Sequence, residues 1–124
     1  MLLLISDANV LIDIEKGGLL ASLFHLNMQF AVPDILFKEE LGQRHAHLIE
    51  YGLQVRSVSS RSIAKTVQFA GKYSKVSRNN LFALALALQD NCSLLTGDKF
   101  LSTAAEKEGV TVRKTMWLMN AMTG

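Results

Sequence analysis

The 124-residue sequence contains a single cysteine, Cys92, and a single proline, Pro33. One cysteine excludes an intramolecular disulfide framework and agrees with a reducing compartment. The scarcity of proline, together with 49% hydrophobic residues, excludes a disordered chain. No apolar run approaches the about 20 residues that a membrane helix requires. The longest, Leu81 to Leu88, stops after eight. The opening Met1-Leu2-Leu3-Leu4-Ile5 is too short for a signal-peptide core, lacks a basic flank and runs into Asp7. These absences leave the expectation of one compact cytoplasmic domain over residues 1–124 with no membrane association. A chain of this size buries roughly two-thirds of its unfolded surface and needs no structural metal to do so.

Acids are also missing over a long stretch. None lies between Glu50 and Asp90, where Arg56, Arg61, Lys65, Lys72, Lys75 and Arg78 all fall. The net charge of +2 averages an acidic half against a basic one: residues 1–62 carry −2 and residues 63–124 carry +4. A basic stretch of this kind can meet a phosphate backbone. The plainer alternative is a solvated, mildly basic helix and loop.

What is present reads as strands alternating with helices. Leu2 to Ile5 is a short apolar run with a polar end at Ser6-Asp7, as in a buried strand. Val10, Leu11 and Ile14 recur at helical spacing in Ala8–Lys16, with Gly17-Gly18 as the stop. Leu19 to Leu26 predicts a second short helix, and Met28 to Val32 a second strand closed by Pro33. The next helix carries Ile35, Leu36, Glu39, Glu40 and Leu41 and can continue past Gly42 to Glu50. Leu53 to Val58 is strand-like. Ile63 to Phe69 predicts a helix with Ile63, Val67 and Ala70 on one face. In Leu81–Leu88 both alternating residues are apolar and none is β-branched, which favours a helix buried nearly all round. Ser93 to Thr96 predicts a strand, Lys99 to Glu108 a helix stopped by Gly109, Val110 to Arg113 a last strand, and Met116 to Met119 a short apolar helix. This order predicts a three-layer α/β/α domain with a mainly parallel sheet.

In such a sheet ligands bind beyond the carboxyl ends of the strands. Asp7 follows the first strand there, and Asp98 follows Ser93-Leu94-Leu95-Thr96-Gly97 at the same edge. Each also suits a simple helix N-cap, since Asp satisfies free backbone N–H groups. Glu39-Glu40 adds carboxylates on the helix after the second strand. A hard divalent cation such as Mg²⁺ needs only a few converging oxygens, because it keeps several waters.

The string Ile5-Ser6-Asp7-Ala8-Asn9-Val10-Leu11-Ile12-Asp13 resembles the opening of a PIN-domain nuclease. Val32-Pro33-Asp34-Ile35-Leu36-Phe37-Lys38-Glu39-Glu40-Leu41 resembles that family's second motif. Asn80-Leu81-Phe82-Ala83-Leu84-Ala85-Leu86-Ala87 and Leu94-Leu95-Thr96-Gly97-Asp98-Lys99-Phe100-Leu101 resemble its third and fourth. The four motifs stand in order and span nearly the whole chain. The resemblance implies a Rossmann-like sandwich with a parallel sheet of about five strands. It further implies Mg²⁺- or Mn²⁺-dependent cleavage of single-stranded or structured RNA, often by the toxin of a toxin–antitoxin pair, and a homodimer. Carried over, Asp7 is the first metal-binding acid and Glu40 the second, with neighbouring Glu39 as the alternative. Asp98 is the outer acid, and Thr96 and Asn9 are polar groups beside the metal. Asn80 stands where similar sequences usually carry Asp, directly before the Leu-Phe-Ala-Leu helix. Ser77 is the expected N-cap there, which makes Asn80 the third residue of the first turn. Asn keeps one ligating oxygen, gives up a full charge and cannot serve as a general base. The expectation is therefore a weakened enzyme, or a PIN-like module that binds RNA or an antitoxin without cutting.

Other features read more plainly. His45 and His47 would point to different faces of a helix, so they are expected to be surface residues rather than ligands of one ion. His25 is expected to be partly buried, Cys92 to be an apolar filler, and Met116, Trp117 and Met119 to pack on the core. Asn91-Cys92-Ser93 matches a glycosylation sequon but precedes a core strand. A haloacid-dehalogenase-like phosphatase also opens with Asp after its first strand. Here Asn9 replaces the second Asp of that pattern. A receiver domain would need an Asp at the end of Leu53–Val58, and none is there.

Overall fold

The computed structural model describes residues 1–123. Within them, five strands form one all-parallel sheet in the order β3-β2-β1-β4-β5. The strands are β1 (Leu2–Ser6), β2 (Met28–Pro33), β3 (Gln54–Arg56), β4 (Ser93–Leu95) and β5 (Val112–Arg113). Leu4, Ile5, Phe30, Ala31, Val32, Leu94 and Leu95 are fully buried. Continuous apolar runs without alternation are what a parallel sheet covered on both faces demands.

The connections β1→β2 and β2→β3 step along the sheet in one direction, while β3→β4 and β4→β5 step in the other. Right-handed crossovers then put the two sets of helices on opposite faces. The first set comprises α1 (Ala8–Lys16), α2 (Leu20–Phe24), α3 (Asp34–Leu36) and α4 (His47–Tyr51), and the second α5 (Ser60–Lys72), α6 (Arg78–Gln89) and α7 (Lys99–Lys107). The terminal helix α8 (Thr115–Thr123) packs Leu118 into the core. The direction of winding reverses between β1 and β4, which makes their carboxyl ends the topological switch point.

The Leu/Ala helix is α6, and every residue from Asn80 to Ala87 in it is buried. Met116 is exposed, whereas Trp117 and Met119 pack against the core. No helix among the described residues is long and apolar enough to cross a membrane.

Two local expectations are corrected, and the outward direction of one helix face is established. The helix after β2 does not run through to Glu50. It passes from α3 into a π-helical turn at Phe37–Leu41 and breaks at Gly42, whose φ of 53° and ψ of −150° suit only glycine. A 3₁₀ turn, Gln43–His45, then leads into α4. Helix α5 is present, but its Ile63–Val67–Ala70 face looks outward, with Val67 71% exposed. Its inward face is Ser62, Thr66 and Phe69. Finally, His25 is exposed rather than partly buried.

Candidate active site

Asp7 ends β1 and caps α1. Its Oδ1 accepts a hydrogen bond from the Val10 amide at 2.9 Å. Asp98, after β4, caps α7 in the same way through Leu101 N, also at 2.9 Å. Capping thus explains one oxygen of each acid and leaves the other to be accounted for. Oδ2 of Asp7 accepts from the Thr96 hydroxyl. The same Thr96 oxygen accepts from the Asp98 backbone N–H at 3.0 Å. Thr96, fully buried, therefore ties the ends of β1 and β4 together at the switch point.

Asp7 is 2% exposed. Burial pushes its carboxyl above the ordinary range; the Thr96 and Val10 hydrogen bonds pull it back, and the neighbouring charges of Asp98 and Asp13 push it up again. A buried carboxylate whose charge is disfavoured marks a candidate site for a cation or for proton chemistry.

The remaining residues approach this edge to different degrees. Asn80 lies in the first turn of α6, its backbone N–H donating to the Ser77 cap at 3.3 Å, and it is 8% exposed. Glu39 reaches the same helix start: both its oxygens accept from Arg78, at 2.5 and 2.7 Å, and Oε1 also accepts from Asn79 at 3.3 Å. Those hydrogen bonds hold the Glu39 carboxyl below its usual range, Arg78 contributing most. Glu40, exposed like Glu39, lines a cleft with it and with Ile12, Lys16 and Arg44. Asn9 is exposed, and Asp7 takes its bonds from Thr96 and Val10 instead. Among the described residues no three acidic, histidine or cysteine side chains converge closely enough to hold a metal by themselves.

The basic residues divide as well. Arg56 bonds Asp90 at 3.0 Å, beyond the C-terminus of α6 and so at the opposite end from Asn80. Arg61 and Lys65 line a shallow groove with Ala64 and Gln68 on α5. Lys72 pairs with Glu108 at 3.0 Å, Lys75 sits over the Phe100 ring, and Arg78 holds Glu39.

Sequence reasoning missed Glu15. The break at Gly42 places His45 at the end of one turn and His47 at the start of another, so both rings meet the Glu15 carboxylate. His45 Nδ1 lies 2.6 Å from Oε1, and His47 Nε2 contacts Oε2. The two histidines are anchors between α1 and the segment after the Glu39-Glu40 turn, not free surface groups. Only the glycine hinted at it. Cys92 is half-buried, and burial raises its thiol above the usual range.

Comparison with known proteins places these features in context. A family model described as a PIN domain matches residues 3–123. Among solved structures, a PilT N-terminus domain protein from the archaeon Sulfolobus solfataricus P2 superposes with a TM-score of 0.69. It is 19% identical and covers 98% of this chain and 93% of its own. VapBC2 from Rickettsia felis, bound to a DNA fragment from its promoter, gives a TM-score of 0.59 at 12% identity, covering 91% and 98%. A toxin–antitoxin complex from Klebsiella pneumoniae gives 0.55 at 20% identity, covering 77% and 86%. At these identities the likeness is one of fold. No curated protein sequence matches the chain.

Proposed function

The chain belongs to the PIN-domain family, and from that premise we propose that it is a Mg²⁺- or Mn²⁺-dependent endoribonuclease, the toxin of a toxin–antitoxin pair, with an activity tempered by Asn80. The observation that carries this reading is the buried Asp7 carboxylate at the switch point, coupled through Thr96 to Asp98. The toxin–antitoxin complexes among its structural neighbours support an antitoxin as partner. A homodimer is part of the same proposal.

The donors at this edge suit the metal. Asp7, Asp98, Glu39 and the Asn80 amide offer hard oxygens, which favour Mg²⁺ or Mn²⁺ over softer ions. Because Mg²⁺ keeps several waters and shares its coordination with substrate phosphates, a partial set of protein carboxylates is enough. When bound, the ion supplies Lewis acidity at the scissile phosphate and a water of lowered pKa. Asp7 and Asp98 would hold it, and Thr96 fixes the orientation of Asp7. Of the two adjacent glutamates, Glu39 is favoured as the second acid because its carboxylate already faces the start of α6. Engaging an ion there would require it to release Arg78, which is then free to meet a phosphate. Asn80 contributes an oxygen without charge, so the ion is held by fewer acids and the water is activated less. Arg61, Lys65, Lys72 and Lys75 extend a basic rim for the RNA backbone.

The test is an RNA cleavage assay with Mg²⁺ and with Mn²⁺ on the natural chain, on Asn80→Asp and on Asp7→Asn. Cleavage by the natural chain that Asp7→Asn abolishes supports the nuclease. Cleavage by Asn80→Asp alone supports the second reading that Asn80 itself favours, a PIN-like module that binds RNA or antitoxin without cutting. No cleavage in any of the three, with each protein folded, removes the nuclease. Turnover of a generic phosphate monoester would instead support a phosphatase.

A further inference from the structure

Beside the acidic edge lies a feature that the metal chemistry does not use. The connection from α5 to α6 and the first turns of α7 enclose a groove of about 350 Å³, lined by Lys72, Tyr73, Lys75, Val76, Lys99 and Phe100. Its position is fixed by the site itself. Val76 precedes the Ser77 cap that sets Asn80, and Lys99 follows Asp98. Phe100 leaves 47% of its surface in solvent although it sits on a helix that buries Leu101, Ala104 and Ala105. The Lys75 ammonium lies 5.2 Å from the centre of its ring.

The charges in the groove are arranged for an anion. Of the acids near it, Glu108 is already engaged by Lys72 and by the Tyr73 hydroxyl, and Asp98 caps α7. Among the described residues, neither Lys75 nor Lys99 has a carboxylate partner. An exposed aromatic ring with one ammonium group over it and a second on the neighbouring residue combines the two elements by which proteins take single-stranded nucleic acid: a ring that stacks a base once the lysine swings aside to a phosphate, and cations that neutralise the backbone. An acidic peptide would use the lysines, but it has no use for a flat exposed ring beside them.

We propose that this groove is a nucleotide subsite, stacking one base of single-stranded RNA on Phe100 while Lys75 and Lys99 bind the adjoining phosphates. The assignment rests on the RNA-directed reading above and names the residues that present the strand to Asp7 and Asp98. Tyr73, held by Glu108, forms the wall of the subsite, and Lys72 carries the basic stripe of Arg61 and Lys65 up to its mouth, the three recurring along α5 at near-helical spacing.

The experiment is fluorescence anisotropy in EDTA, where RNA binds without being cut, with 5′-labelled octaadenylate and its abasic counterpart as probes. Phe100→Ala should weaken octaadenylate binding about tenfold, the scale of one base–aromatic stack. Phe100→Tyr should restore it, and the abasic strand should not distinguish the variants. Lys75→Gln combined with Lys99→Gln should flatten the slope of log affinity against log salt by about 1.4, two phosphates' worth for a single strand. Because these side chains are exposed, thermal melts should coincide with that of the natural chain. Octaadenylate binding that is indifferent to Phe100 and to both lysines overturns the subsite and leaves the nuclease reading standing. Loss of cleavage with stacking intact refutes the nuclease alone. A polyglutamate peptide that binds more tightly than RNA and depends on Phe100 reassigns the groove to a protein partner and overturns the proposal.

Discussion

Replacing Asp7 with Asn should make the metal-free protein more stable while removing its metal affinity. Asp7 is 2% exposed, and its charge is opposed by burial and by the charges of Asp98 and Asp13. Asn fills the same space and caps a helix as well as Asp does, so the Val10 hydrogen bond survives. The amide nitrogen would face the Thr96 oxygen, giving up the charge-assisted bond but relieving the repulsion. The net gain expected is about 1 kcal/mol, the common scale for relieving a functional site of an opposed group. For a domain of this size that is an increase in Tm of about 4 °C. The pH dependence follows from the direction of the shift. A carboxyl raised in the folded state binds more protons there than in the unfolded chain, so the natural protein loses stability as pH rises from the ordinary value of 3.8 through the raised one. The advantage of Asp7→Asn should therefore be full near neutrality and vanish below about pH 4. Calorimetry in EDTA from acid to neutral pH measures it directly. Adding Mn²⁺ should reverse the order, since a ligand at 100 times its Kd stabilises by about 2.7 kcal/mol, and only where it binds. A variant that is less stable than the natural chain at neutral pH, or a difference that does not change with pH, refutes the reasoning.

Asn80→Asp, read by titration calorimetry with Mn²⁺, should tighten binding at least about tenfold, the scale of one added charge interaction of about 1.4 kcal/mol; unchanged affinity would remove Asn80 from the metal's surroundings. Glu39→Gln should cost Mn²⁺ affinity, whereas Glu40→Gln should leave it within about twofold by the same conversion, and the opposite ranking would return the role to Glu40. Glu15→Gln should lower stability by about 0.5–1 kcal/mol, since the pair is partly exposed. Burial raises the Glu15 carboxyl, but hydrogen bonds from His47 and His45 outweigh it and hold it low. Its contribution is therefore present above the ordinary value of 4.5 and lost as pH falls through the lowered one, so denaturant melts of the two proteins should converge in acid, and a gap that persists there would contradict the clamp. Leu84→Ala, in the fully buried stretch of α6, should cost about 2–5 kcal/mol by denaturant unfolding; a loss under about 1 kcal/mol would mean the α6 packing is looser than described.

The centre of the parallel sheet was legible because β1, β2 and β4 are short, mainly apolar runs bounded by Asp, Pro and Gly, patterns that burial on both faces imposes locally. The helix α6 was legible for the same reason, since Leu and Ala leave few other options. What could not be read was which face of a helix meets the core when both faces carry small or apolar residues. On α5 the pattern Ile63–Val67–Ala70 looks like a core stripe. The tertiary partner, α6, instead takes Ser62, Thr66 and Phe69, whose polar members are small enough for close packing and whose hydroxyls bond locally. No property of the isolated helix decides between the two faces.

The same limit, sharpened by one residue, governs the acids. Asp7 and Asp98 could be placed from sequence because each stands at the end of a strand, a position that a one-dimensional pattern marks well. Glu39 and Glu40 stand within a helix, where a shift of one residue turns the side chain through about a quarter of a turn. Regular α spacing from the buried Leu36 would bring Glu40 inward four residues later. The chain instead buries Leu41, five residues on, and the extra residue is taken up as the π-helical turn Phe37–Leu41, closed by the Gly42 amide on the Phe37 carbonyl at 2.6 Å. Burying a glutamate without a partner would cost several times what a strained turn does, so the leucine wins the inward place. Glu40 is left at the surface, and Glu39 is turned toward Arg78 and Asn79 at the start of α6. Which of the two exposed glutamates faces the start of α6 is thus set by where one leucine must go.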